Sequence, residues 1–216
     1  MSCCHCEATE LHFGEDHAEE DVRRYRQSGP DKTTRILLDG LKDQNLEGAT
    51  LLDVGGVIGV IPHELLARGV TAATLVDAAS SYLAAAAAEA ERRGHRERVQ
   101  FVHGDLVQLA GQLHQADLVT LDRVVCCYPD LERLVAASAA KARKWYALSY
   151  PRDRWYVRLG NAFENWCRRR RANQFRTYIH PEQRIHELLL AAGLDRHFHR
   201  GTLTWRVAIY VRLGTV

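Results

Sequence analysis

The residues with the clearest chemical potential are Leu51-Leu-Asp-Val-Gly-Gly-Val-Ile-Gly59, an aliphatic run that carries an acid and opens into a glycine-containing turn. In an open α/β sheet, ligands bind at the carboxyl ends of the strands, so this turn is expected to border one. Gly55 and Gly56 let the backbone bend sharply and lie close to a ligand that a Cβ would obstruct. The ligand is not a dinucleotide. Gly55 and Gly59 are four apart, not the five of G-x-G-x-x-G, and the carboxylate of Asp53 would repel a pyrophosphate. That carboxylate would instead attract a cation, such as the ammonium of an amino acid. No Gly-Lys-Ser/Thr follows, so a P-loop is excluded as well. Two further acids stand at the ends of aliphatic runs, Asp77 in Leu75-Val-Asp-Ala78 and Asp105 in His103-Gly-Asp-Leu106.

Three other groups of residues have chemistry to offer. Cys126 and Cys127 are adjacent, and thiolates bind soft centres, but adjacent cysteines at a strand-to-helix junction also serve as small buried hydrophobes. Cys3-x-x-Cys6 is followed by His12-x-x-x-x-His17, ligand types whose two halves are too close together for a finger-type zinc site. No metal is expected there, although capture of a soft metalloid together with Cys126 and Cys127 is an alternative. Trp155 to Arg171 contains Trp166-Cys-Arg-Arg-Arg-Arg171 and sets aromatics (Trp155, Tyr156, Phe163, Trp166) at helical spacings on one apolar face. Such a segment reads as a lid over an apolar or anionic small molecule, with peripheral membrane contact through 155–171 as a second option.

Leu51–Gly59 resembles motif I of class I S-adenosylmethionine (SAM) methyltransferases, written hh-D/E-h-G-x-G-x-G, with Val57 at the usual place of the middle glycine. The resemblance covers residues 50–150. It implies SAM as cofactor, held by Asp53, Gly55, Gly56 and Gly59 at the methionine end. Asp77 and Ala78 would meet the ribose, and Gly104, Asp105 and Leu106 the adenine, with Asp122 at the end of the fourth strand. Methyl transfer needs alignment more than activation and demands no metal. The segment Asp122-Arg-Val-Val-Cys-Cys-Tyr-Pro129 is similar to the D-x-h-I-H-Y-P run of magnesium protoporphyrin O-methyltransferases, with Cys127 in the place of that family's His. Tyr25-Arg-Gln-Ser-Gly-Pro30 is similar to their N-terminal segment, in which a Tyr closes over SAM. On this footing Tyr25, Arg123, Cys127 and Tyr128 are the candidates for catalysis, and Cys126, Tyr150, Arg152 and Trp155 for the acceptor pocket. The implied activity is methylation of a small-molecule acceptor at an O-, S- or N-nucleophile. A metalloid or thiol methyltransferase using the Cys pairs and a non-catalytic SAM-binding module are the alternatives. An RNA methyltransferase would carry an N/D-P-P-Y/F motif after strand four, and none is present.

The elements that must position these residues follow from the patterning. Thr50–Val54, Ala73–Asp77, Val99–His103, Ala116–Leu121 and Lys144–Tyr150 read as strands. Pro62–Arg68 and Ser80–Arg93 read as intervening helices, the second capped by Ser80 and ended by Gly94. Strands alternating with helices indicate βαβ units and a parallel sheet. Pro181–Ala192 is a further helix, and Leu194–His199 with Leu203–Val211 form a hairpin around Arg200-Gly201-Thr202. The expected fold is α/β, a Rossmann-like seven-stranded methyltransferase sheet with a C-terminal antiparallel hairpin. It divides into an N-terminal helical arm (1–45) and a single SAM-binding domain (46–216), with a lid insertion after strand five at about 151–180.

Composition is consistent with this. The 216 residues are 46% apolar and 26% charged, with a net charge of +2, too balanced for a nucleic-acid footprint over the whole surface. No run of eighteen apolar residues occurs, and Met1-Ser-Cys-Cys-His-Cys leads into acids rather than an apolar signal. The six cysteines, five of them in two clusters of near neighbours, make a poor disulfide framework, so reduced thiols and a cytoplasmic setting are expected.

Overall fold

The computed structural model describes residues 4–214, excluding the side chains of residues 4 and 5. Seven strands form one sheet in the order β3-β2-β1-β4-β5-β7-β6. They are β1 (Thr50–Val54), β2 (Ala72–Asp77), β3 (Val99–His103), β4 (Ala116–Asp122), β5 (Ala142–Pro151), β6 (Leu194–Gly201) and β7 (Trp205–Arg212). The first five are parallel, while β7 runs antiparallel to both β5 and β6. The order reverses between β1 and β4, the switch point at which such sheets bind ligands.

Nine helices cover the sheet among the described residues: α1 (Cys4–His12), α2 (Glu15–Ser28), α3 (Lys32–Gly40), α4 (Val60–Leu66), α5 (Ser80–Arg93), α6 (Leu106–Leu109), α7 (Leu131–Ala139), α8 (Trp155–Arg170) and α9 (Glu182–Ala191). Strand alternation divides the core. Leu51, Leu75, Leu118 and Ile209 pack with Leu37, Leu38, Leu65 and Leu83 of α3, α4 and α5. Their neighbours Leu52, Val76, Val119 and Ala208 pack with Leu106, Leu134, Ile185 and Leu189 of α6, α7 and α9.

The expected strands and the 80–93 helix are all present, with ends displaced by one or two residues in most. Two details differ. Ala79, not Ser80, is the N-cap of α5, because Ser80 is the first helical residue and gives its N–H and hydroxyl to Glu10 of the arm. The helix expected over Pro62–Arg68 starts earlier, at Val60, because Gly59 takes the left-handed conformation (φ 77°) that caps it.

The arm folds back over the N-terminal ends of α4 and α5. Ala18 and Tyr25 are buried against Ile58, Ala79 and Tyr82. The side chain of Glu89, fully buried on α5, accepts hydrogen bonds from Arg26 of α2 and from Arg92 and Arg93. These guanidiniums, Arg92 foremost, hold its carboxyl far below the usual carboxylate range. Replacing Glu89 with Gln should lower stability by about 2 kcal/mol, since charge-assisted bonds become neutral ones. Chemical denaturation with a matched Glu89→Asp control would measure it.

Candidate functional site

A cavity of about 730 Å3 opens at the carboxyl edge of the sheet over β1, β2 and β4, roofed by α1, α2 and the segment after α8. Asp53, Gly55, Gly56, Asp77, Ala78, Gly104, Asp105, Leu106 and Asp122 all line it, as do Tyr25, Arg123, Cys126, Cys127 and Tyr128. Gly59, Tyr150, Arg152 and Trp155 do not. Gly59 serves as a helix cap, as described. Tyr150 alternates with Ser149 along β5, so its ring enters the core on the opposite face. Arg152 is turned to the β6–β7 connection, donating to the carbonyl of Thr202 at 3.1 Å. Trp155 lies on the outer side of α8 and is 76% exposed.

Three carboxylates stand at three successive strand ends. Asp53 is 1% exposed; its Oδ1 accepts the Thr120 hydroxyl, whereas Oδ2 is buried without a partner. Burial pushes its pKa up to about 8, helped by the nearby charges of Asp122 and Asp77. A Cβ at Gly56 would overlap Asp53 Oδ2 and press on Leu75. Gly56→Ala is therefore expected to cost about 2 kcal/mol of stability and to close the space beside Oδ2. Thermal denaturation and ligand titration read the two effects separately.

Asp77 Oδ2 accepts the N–H of Val57 at 3.1 Å and Oδ1 that of Ala79 at 2.9 Å. Its burial lifts the pKa to about 6. The bond to Val57 ties the β2 end to the glycine turn. Val57 takes a positive φ of 53°, an uncommon conformation for a β-branched residue and the one a glycine would take without strain. Asp105 caps α6 through the Val107 N–H at 2.9 Å and accepts the Tyr128 hydroxyl at 3.0 Å. Tyr128 is thus tied to the Asp105 side of the cavity, and its phenol is pushed well up by burial and by that carboxylate.

On the β4 side, half-buried Asp122 accepts the hydroxyls of Thr34 (2.6 Å) and Ser149, and desolvation raises its pKa. Arg123 (φ 62°) donates its N–H to Ser149 Oγ, pairs with Asp31 and lies 5.3 Å from the Trp205 ring. Cys126 and Cys127 have sulfurs 3.7 Å apart, and both donate to the carbonyl of Arg123. Cys126 is buried, and its contact with Cys127, then burial, pushes its thiol well up. Cys127 is half-buried. Tyr25 is buried on the arm side, its hydroxyl donating to Glu64 Oε1 at 2.9 Å beneath the Arg93 guanidinium.

Cys6 is disulfide-bonded, contrary to the expected reduced thiol, and His12 stacks on Phe175 with ring centres 4.4 Å apart. Among the described residues no group of three His, Cys, Asp or Glu side chains could hold a metal ion. Cys3 lies outside the described residues.

Several lining residues escaped sequence reasoning: Lys32, Arg35, Arg168, Phe175 and Trp205. Lys32 and Arg35, in the first turns of α3, have no ion-pair partner among the described residues. The available signal was Asp31 before Thr33 and Thr34, an N-cap pattern. Its side chain accepts the N–H groups of both.

The residues fit the cofactor that the motif implies. An unpartnered carboxylate oxygen beside a glycine cradle suits an ammonium, and Asp77 suits ribose hydroxyls.

Comparison with known proteins agrees. Residues 51–144 match a family profile described as a methyltransferase domain. No curated protein sequence matches the chain. Among solved structures, magnesium protoporphyrin IX methyltransferase from Synechocystis with bound SAM superposes with a TM-score of 0.72 at 18% identity, covering 98% of both chains. An O-methyltransferase family 2 protein from Planctomyces limnophilus in complex with apigenin gives 0.67 at 19% identity, covering 92% of this chain and 62% of that one. Geranyl diphosphate C-methyltransferase from Streptomyces coelicolor gives 0.65 at 12%, covering 83% and 74%. The profile match falls on the strands and turns that carry the three carboxylates, so residues 51–144 are similar to a methyltransferase domain and the chain shares the fold of these SAM-dependent enzymes.

Proposed function

We propose that this chain transfers the methyl group of SAM to a small-molecule acceptor that brings its own anionic nucleophile, a carboxylate on a largely apolar body. The observation that carries the cofactor half is the orphaned Asp53 Oδ2 at the glycine turn. It takes the ammonium of the methionine moiety, Asp77 the ribose hydroxyls, and Asp105 with Leu106 the adenine edge. When bound, SAM supplies an already activated methyl group on a cationic sulfur. The protein's part is to hold the acceptor in line with it and to exclude water.

The acceptor half rests on which groups could take a proton. The Cys126 thiol and the Tyr128 phenol are both pushed up and occupied by hydrogen bonds, and each Asp122 oxygen already accepts a hydroxyl. None of these three is placed as a ready general base. A carboxylate is ionised at neutral pH without one. Lys32 and Arg35 at the rim supply positive charge, and Phe175 and Trp205 supply flat apolar surface. Similarity to a porphyrin methyltransferase is compatible with such an acceptor.

The test is release of S-adenosylhomocysteine, with mass spectrometry of the product, against a panel of porphyrin and aryl carboxylates, phenols, thiols and arsenite. Transfer to a carboxylate is the expected result. Turnover only with thiols or arsenite would replace the acceptor assignment, and tight SAM binding with no turnover at all would make the chain a binding module.

A further inference from the structure

Helix α8 is the one α-helix with no buried residue among those described, yet it carries the largest exposed apolar side chains. Trp155 is 76% exposed, Leu159 64%, Phe163 63% and Trp166 49%. Tyr156 adds a fifth apolar side chain beside them. At 3.6 residues per turn these five fall within an arc of about 100°, one continuous stripe along a helix about 24 Å long. Leu203, 79% exposed at the tip between β6 and β7, adjoins the start of the stripe, where the Tyr156 hydroxyl donates to its carbonyl at 2.7 Å.

The other side of the same helix holds it to the protein. Asn161 and Asn165 donate to the carbonyl of Thr177 at 3.0 and 2.7 Å, and Arg168 donates to the Thr177 hydroxyl. Glu164 and Arg168 line the cavity. The apolar stripe therefore faces outward while the opposite row walls the site.

Charge decides what could cover the stripe. Residues 152–171 contain seven arginines and two carboxylates, and both carboxylates are already paired, Asp153 with Arg158 and Glu164 with Arg168. Arg154, Arg169, Arg170 and Arg171 have no carboxylate partner among the described residues, and Arg170 lies 4.8 Å from the Trp166 ring. An outward row of Trp, Leu and Phe edged by unpaired guanidiniums is the pattern of a helix lying in the plane of an anionic bilayer surface. The rings and aliphatic chain enter the headgroup–acyl boundary, and the arginines meet phosphates. A second copy of this chain would bring the same positive charge against itself.

We propose that α8 docks this protein on anionic membrane surfaces, with the cavity on the far side of that one helix, so that the site works beside a bilayer that dissolves amphiphilic acceptors. The choice of acceptor rests on the methyltransferase reading; docking does not.

Flotation of the full chain with vesicles tests it. The chain should float with vesicles of about 30% phosphatidylglycerol in phosphatidylcholine at least about tenfold better than with phosphatidylcholine alone, and less well in about 0.5 M salt. The double variant Leu159→Glu/Phe163→Glu should lose at least about tenfold in partitioning while keeping its far-ultraviolet circular dichroism and SAM affinity. If that variant fails to fold, Arg169→Gln/Arg170→Gln serves instead and should reduce binding to anionic vesicles alone. Absence of flotation with anionic vesicles, or variants that float like the parent, would overturn the proposal. So would a dimer in sedimentation that the variants dissolve, with no vesicle binding by the parent. SAM titration of the same samples separates the two readings: binding of SAM without vesicles sinks only the docking, and vesicles without SAM only the methyltransferase assignment.

Discussion

Asp53→Asn should weaken SAM and S-adenosylhomocysteine binding by at least about 30-fold, because removing one member of a desolvated charge pair costs about 2–5 kcal/mol. The substitution is close to isosteric. Thr120 can still donate to the remaining carbonyl oxygen, and the change falls on Oδ2, the atom with no partner inside the protein. An amide nitrogen there would point two N–H donors at an ammonium that donates as well. Both ligands share that ammonium, so both should lose affinity to the same degree. Isothermal titration at pH 8, where the parent's carboxyl is ionised enough to pair, is the measurement. Retention of affinity within about threefold would show that Asp53 does not hold the ligand's cation.

Without ligand, stability should fall by about 2 kcal/mol between about pH 6.5 and 8.5. Burial raises Asp53 to about 8 and Asp77 to about 6. The folded state thus keeps protons that the unfolded chain releases near pH 4. Their stabilisation is fully present below that pH and is lost as pH rises through each folded value. His63 acts oppositely. Desolvation lowers it to about 4, so its contribution grows as pH rises towards the unfolded value near 6.5. It offsets Asp77 over the lower range, and His12, His95 and His199 are shifted in the same direction as His63. Above pH 6.5 Asp53 still keeps its extra proton, and about 1.5 units at 1.36 kcal/mol each gives the expected loss, several degrees in melting temperature. The Asp53→Asn protein should show no such decline. SAM affinity of the parent should rise over the same interval, as the carboxylate ionises to meet its cation. A melting temperature that climbs from pH 6.5 to 8.5 would contradict the assignment of a buried, protonated Asp53.

The strand-borne half of the site was legible in the residues because its chemistry is local. A parallel strand places its last side chain at the carboxyl edge whatever surrounds it, so Asp53, Asp77 and Asp105 could be put at one edge from spacing alone. Tyr150 and Arg152 were read by the same logic one step too far. Alternation sends Ser149, not Tyr150, towards Asp122, and Arg152 leaves the sheet to bond the β6–β7 connection. The amphipathic spacing of 155–171 was visible, but whether its aromatics faced the core or solvent was not, since a helix stripe reads the same in either case.

What this sequence determined by itself was the strand and helix order, the glycine turn and the acids that follow it, all set by periodicity and by residues whose backbone freedom or charge admits few alternatives. Only the tertiary structure decided how the arm, α3 and the hairpin complete the cavity. The Tyr25–Glu64, Thr34–Asp122 and Arg26–Glu89 contacts join residues 39 to 88 positions apart. Such pairs form only when packing of two hydrophobic faces has brought distant segments together, and no local pattern in the chain encodes their partners.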